Sequence, residues 1–124
     1  MARRGRPPKT QEELQSAEIA RLELARANEL IDLANILADA RVRAFLYRMI
    51  GQSGMFADPF SLNNSQLSRN VGFSAMGRAL YAEITEASPE AWILMQQEDL
   101  ERRRAAAAMQ AAEAEARAAL ASEE

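Results

Sequence analysis

The chain contains neither cysteine nor histidine, and each absence removes a class of chemistry. Without cysteine there are no thiolate nucleophiles, no disulfides and no zinc sites built on sulfur. Without histidine the chain lacks the side chain that best transfers protons near neutral pH. A catalytic mechanism would have to rest on carboxylates, or on a serine without a histidine base. We therefore expect a non-catalytic protein with no cofactor and no metal.

Long apolar runs are also missing from the sequence. A membrane-spanning helix needs about 18 or more consecutive apolar residues, and we expect no membrane span because no such run occurs. Aromatic residues make up only 6% of the 124 residues, and much of the 48% hydrophobic content is alanine, which buries little area. A chain of this length has room for one domain with a modest core. The side chains predicted to hold that core are Phe45, Tyr47, Phe73, Leu80 and Trp92.

Positive charge is concentrated at the start of the chain. Residues 1–10 contain no acidic residue, and their basic residues are Arg3, Arg4, Arg6 and Lys9. Pro7 and Pro8 favour an extended arm over residues 1–9, because proline fixes φ and restricts the residue before it. The segment Arg4-Gly5-Arg6-Pro7 resembles the core of an AT-hook, although Arg3 stands where that motif has proline and only one copy is present. The arm is thus a candidate DNA contact, with a solvated tail or an arm docked on an acidic protein surface as the alternatives.

Helical patterns dominate the rest of the chain and predict an all-α fold, a small bundle of three or four helices with long N- and C-terminal helices. Thr10 and Glu13 have the spacing of a capping box. Asp39 is a plausible N-cap for a second helix, and Ser88-Pro89-Glu90 is a strong signal for the start of another. The predicted helical domain covers residues 10–100, with helices at 10–38, 40–51, 65–87 and 89–100.

An apolar loop is predicted between the second and third helices, over residues 53–64. It contains turn formers, yet it also carries Met55, Phe56, Phe60 and Leu62. Such a loop is expected to cover the core as a plug or to contact another subunit. In the third helix, Phe73, Met76, Leu80 and Ile84 are predicted to share one face. Gly72 and Gly77 are expected to allow close helix approach.

Arg69 and Asn70 precede that glycine-containing segment and have two interpretations. They can form a partner-binding pair, or they can cap or brace the loop from Asp58 to Asn64. The second interpretation is favoured because such residues usually serve local structure in a helical domain.

Residues 101–124 are predicted to form an alanine-rich helical extension. Alanine gives this segment a high helix propensity and a thin apolar face. It is expected either to stand exposed or to pack as an alanine seam against a neighbouring protein, with Met109 and Leu120 as interface residues. Arg102, Arg103 and Arg104 are expected to pair along the helix surface with Glu98, Asp99 and Glu101.

The most distinctive pattern of the chain lies within residues 45–98. It reads Phe-Leu-aromatic-Arg, then Gly-hydrophobic-Phe, then Arg-Asn-Val-Gly, then Ser-Pro-Glu and a later methionine. The matching positions are Phe45, Leu46, Tyr47, Arg48, Gly54, Met55, Phe56, Arg69, Asn70, Val71, Gly72, Ser88, Pro89, Glu90 and Met95. This pattern resembles a family of small tailed-phage proteins of the podovirus type, whose genes tend to lie among the portal and head genes.

The resemblance implies an accessory structural component of the virion, near the portal and head-to-tail connector or inside the head. It implies other phage structural proteins as partners, and we also expect a homo-oligomer in a ring. Its expected location is the virion, and the host cytoplasm during assembly. Two alternatives stay open. One is a DNA-associated internal head or packaging protein that uses the basic arm, and the other is an assembly scaffold or chaperone that is absent from the mature particle.

Overall fold

The computed structural model describes residue 5 and residues 7–123. These residues form four helices, which in chain order are α1 (Gln11–Ile36), α2 (Ala40–Ser53), α3 (Asn64–Ala87) and α4 (Pro89–Glu123). The predicted fold class, a small all-α helical bundle, is confirmed. The ends of α1, α2 and α3 lie within two residues of the predicted ends. Helix α4 continues without a break through the alanine-rich helical extension that was predicted from residue 101.

Local capping chemistry explains where the helices begin. At α1 the Glu13 amide donates to Thr10 Oγ1 (3.2 Å), and the Thr10 amide donates to Glu13 Oε2 (3.2 Å), which completes the predicted capping box. Asp39 accepts from the Arg41 amide (2.8 Å) at the start of α2, as predicted. Ser88 Oγ accepts from the Ala91 amide (3.3 Å) at the start of α4. Each contact satisfies an amide that has no partner within its helix.

Helix α2 ends at Gly54, which adopts a left-handed conformation with φ of 75°. This geometry costs little for glycine because no Cβ meets the backbone, and it is a common way to end a helix. The chain then leaves the bundle as a loop that returns at Asn63, whose side chain accepts from the Gln66 amide (3.0 Å) and caps α3.

The core lies where the end of α1, the middle of α2, the C-terminal half of α3 and the first turns of α4 meet. Trp92 is at its centre, with its ring centroid 5.4 Å from that of Tyr47 and 4.8 Å from that of Tyr81 in an edge-to-face arrangement. Such pairs stabilise beyond the area they bury. The buried hydrophobic residues are Leu37, Ile50, Ile84, Ala91, Trp92 and Met95. Leu33, Leu46, Tyr47, Met55, Leu80, Tyr81 and Ala87 pack against them.

Two of the five predicted core residues are not in the core. Trp92 is buried and Tyr47 and Leu80 pack against the buried cluster, but Phe45 is 48% exposed and Phe73 is 57% exposed. The prediction was wrong for these two because it chose the bulkiest side chains. The face of α3 that is buried between α2 and the core instead carries Ser74 and Gly77 before it reaches Ile84.

Close approach of α2 and α3 depends on one glycine. A Cβ placed on Gly77 would lie 2.6 Å from Ser53 Cβ and still closer to Ser53 Oγ, whereas a Cβ on Gly72 would meet nothing within 4 Å. The expectation of a close approach is therefore confirmed for Gly77 and wrong for Gly72. Only a residue as small as glycine fits at the closest contact between α2 and α3. The large neighbours Phe73 and Met76 therefore lie at the edge of that contact.

Two arginines fix the helices to one another. Arg26 of α1 bonds to Glu83 Oε2 (2.8 Å) and Glu86 Oε2 (2.7 Å) at the end of α3. Arg43 of α2 bonds to Glu98 Oε1 (2.7 Å) on α4 and to the Leu37 carbonyl oxygen (2.8 Å). Arg43 and Glu98 are largely shielded from water, so this bond is screened less than a surface pair.

Candidate protein-interaction surface

The first half of α1 projects away from the bundle. Residues 11–25 are all exposed, and α1 begins to be covered only at Arg26. Fifteen helical residues extend about 22 Å. This exposed half of α1 carries large apolar residues, namely Leu14, Ile19, Leu22 and Leu24. It also carries the acidic residues Glu12, Glu13, Glu18 and Glu23.

Two of these apolar residues, Ile19 and Leu22, continue the face by which α1 packs on α3, whereas Leu14 and Leu24 lie on other sides of the helix. Ile19 and Leu22 lie one turn apart, on the face that later carries Leu33 and Leu37. Glu18 precedes Ile19 and Glu23 follows Leu22, so at 100° per residue the two carboxylates border this stripe on opposite sides. This half carries more acidic than basic residues, and no described residue covers the stripe formed by Ile19 and Leu22.

An apolar groove of about 340 Å³ lies between α2 and α3. We call it the α2–α3 groove, and its walls are Met49, Gln52, Ser53, Phe73, Met76, Gly77 and Leu80. Met76 is 70% exposed, and Phe73 stands at the same open edge. Methionine adapts its shape easily and is common where a groove accepts an apolar helix face. Gln52 and Ser53 are its only polar lining residues among those described, so a ligand in the groove would be held mainly by apolar contacts.

Two arginines lie near the α2–α3 groove without lining it. Arg48 follows Phe45 by almost one turn of α2, with its guanidinium carbon 5.4 Å from the centre of the Phe45 ring. Arg69 precedes Phe73 by four residues on α3, which places both on one side of that helix. Neither arginine forms an ion pair with another described residue. Asp58 lies in a smaller adjoining pocket that shares Gln52, Ser53 and Phe73 with the groove, so charges of both signs lie near the groove.

Arg48 lines a second, more polar groove of about 390 Å³ between α2 and α4. Arg102 and Arg103 form its opposite wall, and both pair with Asp99, at 3.7 Å and 2.9 Å. The expected pairing along the α4 surface is confirmed for Asp99. It is wrong for Glu98, because that carboxylate turns toward α2 and bonds to Arg43.

The loop between α2 and α3 divides into a covered start and an exposed remainder. Met55 packs against the core. Phe56 is largely exposed, although its ring centroid lies 6.2 Å from that of Trp92. Phe60 and Leu62 point into solvent, and Leu62 is 93% exposed. The start of the loop thus covers the core, while Phe60 and Leu62 are free for contact with another protein.

Asn70 braces this loop. Its side-chain amide donates to the Pro59 carbonyl oxygen (3.1 Å), and its Oδ1 accepts from Gln66 Nε2 (2.7 Å). This agrees with the bracing interpretation. Arg69 is exposed and makes no hydrogen bond to another described residue through its side chain, so it does not share the bracing role.

The alanine-rich end of α4 is helical and exposed from Leu100 to Glu123. Met109 and Leu120 are each 65% exposed. Their assignment to an interface stays a prediction, because no described residue packs on this segment. Of the predicted DNA-binding arm, Arg3, Arg4 and Arg6 lie outside the described residues, and Lys9 is exposed. The DNA contact likewise stays a prediction.

The carboxyl groups with shifted pKa values lie in helix-stabilising contacts. A hydrogen bond from Arg26 lowers the pKa of Glu83, and hydrogen bonds from the Arg41 side chain and backbone lower the pKa of Asp39. Neither carboxyl group lines one of the grooves described above. Within residues 5 and 7–123 no three acidic side chains come together as a metal site would require. The helices described are also too short or too polar to cross a membrane.

Comparisons with protein-family models, with curated proteins and with solved structures give no match to this chain. The α2–α3 groove is the feature that sequence reasoning missed, because it assigned Phe73 to the core and placed Met76 on the same helix face. Gly77 lies close in the chain to the large residues Phe73 and Met76, and this pattern could have indicated the groove.

Proposed function

We propose that this protein is a non-catalytic structural component of a phage particle, which binds neighbouring subunits and copies of itself through its exposed helices and loop. The observation that carries the proposal is the distribution of large apolar side chains. Among the described residues, 18 large hydrophobic residues are exposed and six hydrophobic residues are buried. Burial of apolar surface is the main driving force for protein association. This number of exposed apolar side chains therefore favours a protein that functions in an assembly.

The positions of these residues support the same proposal. Most of them lie on the exposed half of α1, in the α2–α3 groove, on the loop and along α4, which are separate parts of the molecule. A protein with several such surfaces can contact several neighbours at once, as a component of a shell or connector does. The resemblance of residues 45–98 to small podovirus-type proteins supplies the setting, a position near the portal and head-to-tail connector or inside the head.

The proposal is tested by the copy number of the protein in purified, DNase-treated phage particles, measured by quantitative mass spectrometry. A copy number equal to that of the portal ring supports a component of the connector. A copy number near that of the capsid protein supports a component inside the head. Absence from mature particles together with presence in precursor shells would overturn the proposal in favour of an assembly factor.

A further inference from the structure

We propose that the polar groove between α2 and α4 is a binding site for a phosphate group, such as a phosphate of a nucleic-acid backbone. We call it the α2–α4 groove, and its charged lining residues are Arg48 of α2 and Asp99, Arg102 and Arg103 of α4. The inference goes beyond the proposed function. It concerns a polar groove, whereas exposed apolar side chains carry the proposed function, so either can fail while the other stands.

The α2–α4 groove has more positive charge than its own carboxylate can offset. Three guanidinium groups line it, and Asp99 is the one acidic residue among the described residues of its walls. Arg103 Nε lies 2.9 Å from Asp99 Oδ2, whereas Arg102 Nη2 lies 3.7 Å from Asp99 Oδ1, which is too far for a hydrogen bond. Arg48, on the opposite wall, forms no ion pair with another described residue. The groove therefore has an excess of two positive charges, in a chain whose net charge is -3.

The neighbouring carboxylates cannot neutralise this excess. The sequence of α2 contains no acidic residue, so the wall that carries Arg48 has no carboxylate of its own. Glu98 directly precedes Asp99, but it is largely shielded and already bonds to Arg43 (2.7 Å). Glu101 lies about 160° around α4 from Asp99, which places it on the far side of that helix. An anion from outside the chain is therefore needed to balance the two charges.

The arrangement of the arginines favours a phosphate over a carboxylate. A carboxylate has two oxygen atoms in one plane, and a single guanidinium group can match both of them. A phosphate has oxygen atoms that point in several directions, so it can accept from Arg48 on α2 and from Arg102 on α4 at the same time. The guanidinium carbon of Arg48 lies 5.4 Å from the centre of the Phe45 ring, a contact that helps to position this donor. The groove volume of about 390 Å³ exceeds that of one phosphate group, so a phosphate within a longer molecule fits.

The test measures the binding of the full chain to a short labelled DNA duplex by fluorescence anisotropy at several salt concentrations. Arg48→Gln and Arg102→Gln should each weaken binding about tenfold at low salt. Each should also reduce the slope of log K against log salt concentration by about one, because one phosphate contact is lost. Arg104→Gln is the matched control, since it removes the same charge from α4 but does not line the groove, and its slope should be unchanged. All three arginines are exposed, so the fold should be retained, which circular dichroism checks, and the basic arm is the same in every variant.

Inorganic phosphate distinguishes the two sources of the ligand. Sodium phosphate, compared with sodium chloride at equal ionic strength, should raise the melting temperature of the unmodified chain but not that of Arg48→Gln. This result without DNA binding supports a site for free phosphate or a small phosphorylated molecule, and DNA binding that depends on Arg48 and Arg102 supports the nucleic-acid backbone. The proposal is overturned if neither DNA nor phosphate binding depends on Arg48, or if Arg104→Gln weakens DNA binding as much as Arg48→Gln. It is also overturned if polyglutamate of the same total charge binds as tightly as the duplex, since the site would then be one for an acidic protein.

Discussion

At the scale of single residues, Gly77 decides how closely α2 and α3 approach. The Ser53 side chain fills the place that a Cβ of residue 77 would occupy, and its hydroxyl is already engaged with the Ile50 carbonyl oxygen and the Met55 amide. A larger residue at position 77 would have to move the end of α2. The groove beside this contact would then change shape as well.

Substitution of the two α3 glycines by alanine should give opposite effects. Gly77→Ala is expected to lower the free energy of unfolding by about 1–3 kcal/mol, the usual cost of overpacking. Gly72→Ala meets no neighbour within 4 Å. It should raise the stability by about 0.5–1 kcal/mol, because alanine favours the helix over glycine. Urea denaturation measures both, and equal effects of the two substitutions would contradict the assigned contact.

Arg43 is the second residue with a disproportionate role. Replacement by methionine leaves Glu98 shielded without a partner and removes the donor to the Leu37 carbonyl oxygen. We expect a loss of about 2–4 kcal/mol in the free energy of unfolding, since removing one member of a buried pair is costly. Arg103→Met is the matched control, because Arg103 is largely exposed in its pair with Asp99. That pair should contribute less than about 1 kcal/mol to the free energy of unfolding. A similar loss in both variants would show that burial of the Arg43 pair is unimportant.

At the scale of helices, α1 is held by a short segment only. Its second half packs on α3, where Leu33 and Leu37 join the core and Arg26 binds the end of α3. Its first half has no contact that fixes it. The stability of the α1–α3 contact therefore depends on a few apolar side chains and on carboxylates that accept from Arg26.

This dependence predicts a loss of stability in acid. The pKa values of Glu83 and Asp39 are lower in the folded chain than their ordinary values, because Arg26 and Arg41 donate to the charged forms. Such groups stabilise the fold fully above the unfolded-state pKa, and this stabilisation is lost as the pH falls through the folded-state pKa. The melting temperature should thus be steady near neutral pH and decrease below about pH 4.

Glu83→Gln should flatten this decrease, since glutamine does not titrate. Glu115→Gln provides the comparison, because Glu115 lies on the exposed end of α4 and pairs with no described residue. Melting temperatures measured between pH 7 and pH 3 by circular dichroism distinguish the two. An unchanged pH profile for Glu83→Gln would show that the Arg26 contact does not contribute to acid sensitivity.

At the scale of the whole molecule, the protein is a small core with two long helical projections. The core buries few large side chains, whereas residues 11–25 and 100–123 stand in solvent. Alanine content alone favours a helical end of α4, so this segment needs no packing to be helical. The projections can therefore engage neighbours without changing the core.

Removal of residues 101–124 should leave the core intact. The expected change in the free energy of unfolding is below about 0.5 kcal/mol, because no described residue of this segment is buried. The far-ultraviolet helical signal should decrease in proportion to the residues lost. Removal from residue 95 onward also takes Met95, which is 1% exposed, and should unfold the chain. A large stability loss from the shorter deletion would show that the α4 end packs on the core.

The sequence by itself determined the elements of this protein. Thr10 with Glu13, Asp39, and Ser88 with Pro89 act through contacts between residues that are two or three positions apart, so their roles are readable without the fold. The spacing of apolar residues and the turn formers between them likewise predicted four helical segments and an apolar loop, because both signals are local.

Only the tertiary structure decided which apolar residues are buried and which form a surface. Phe45, Phe73 and Met76 follow the same helical spacing as true core residues, and periodicity cannot show which face meets a neighbour. That choice depends on the approach of Ser53 to Gly77, two residues that are distant in the chain and close in space. The groove exists because the smallest residue of α3 takes the closest contact and leaves its large neighbours at the edge.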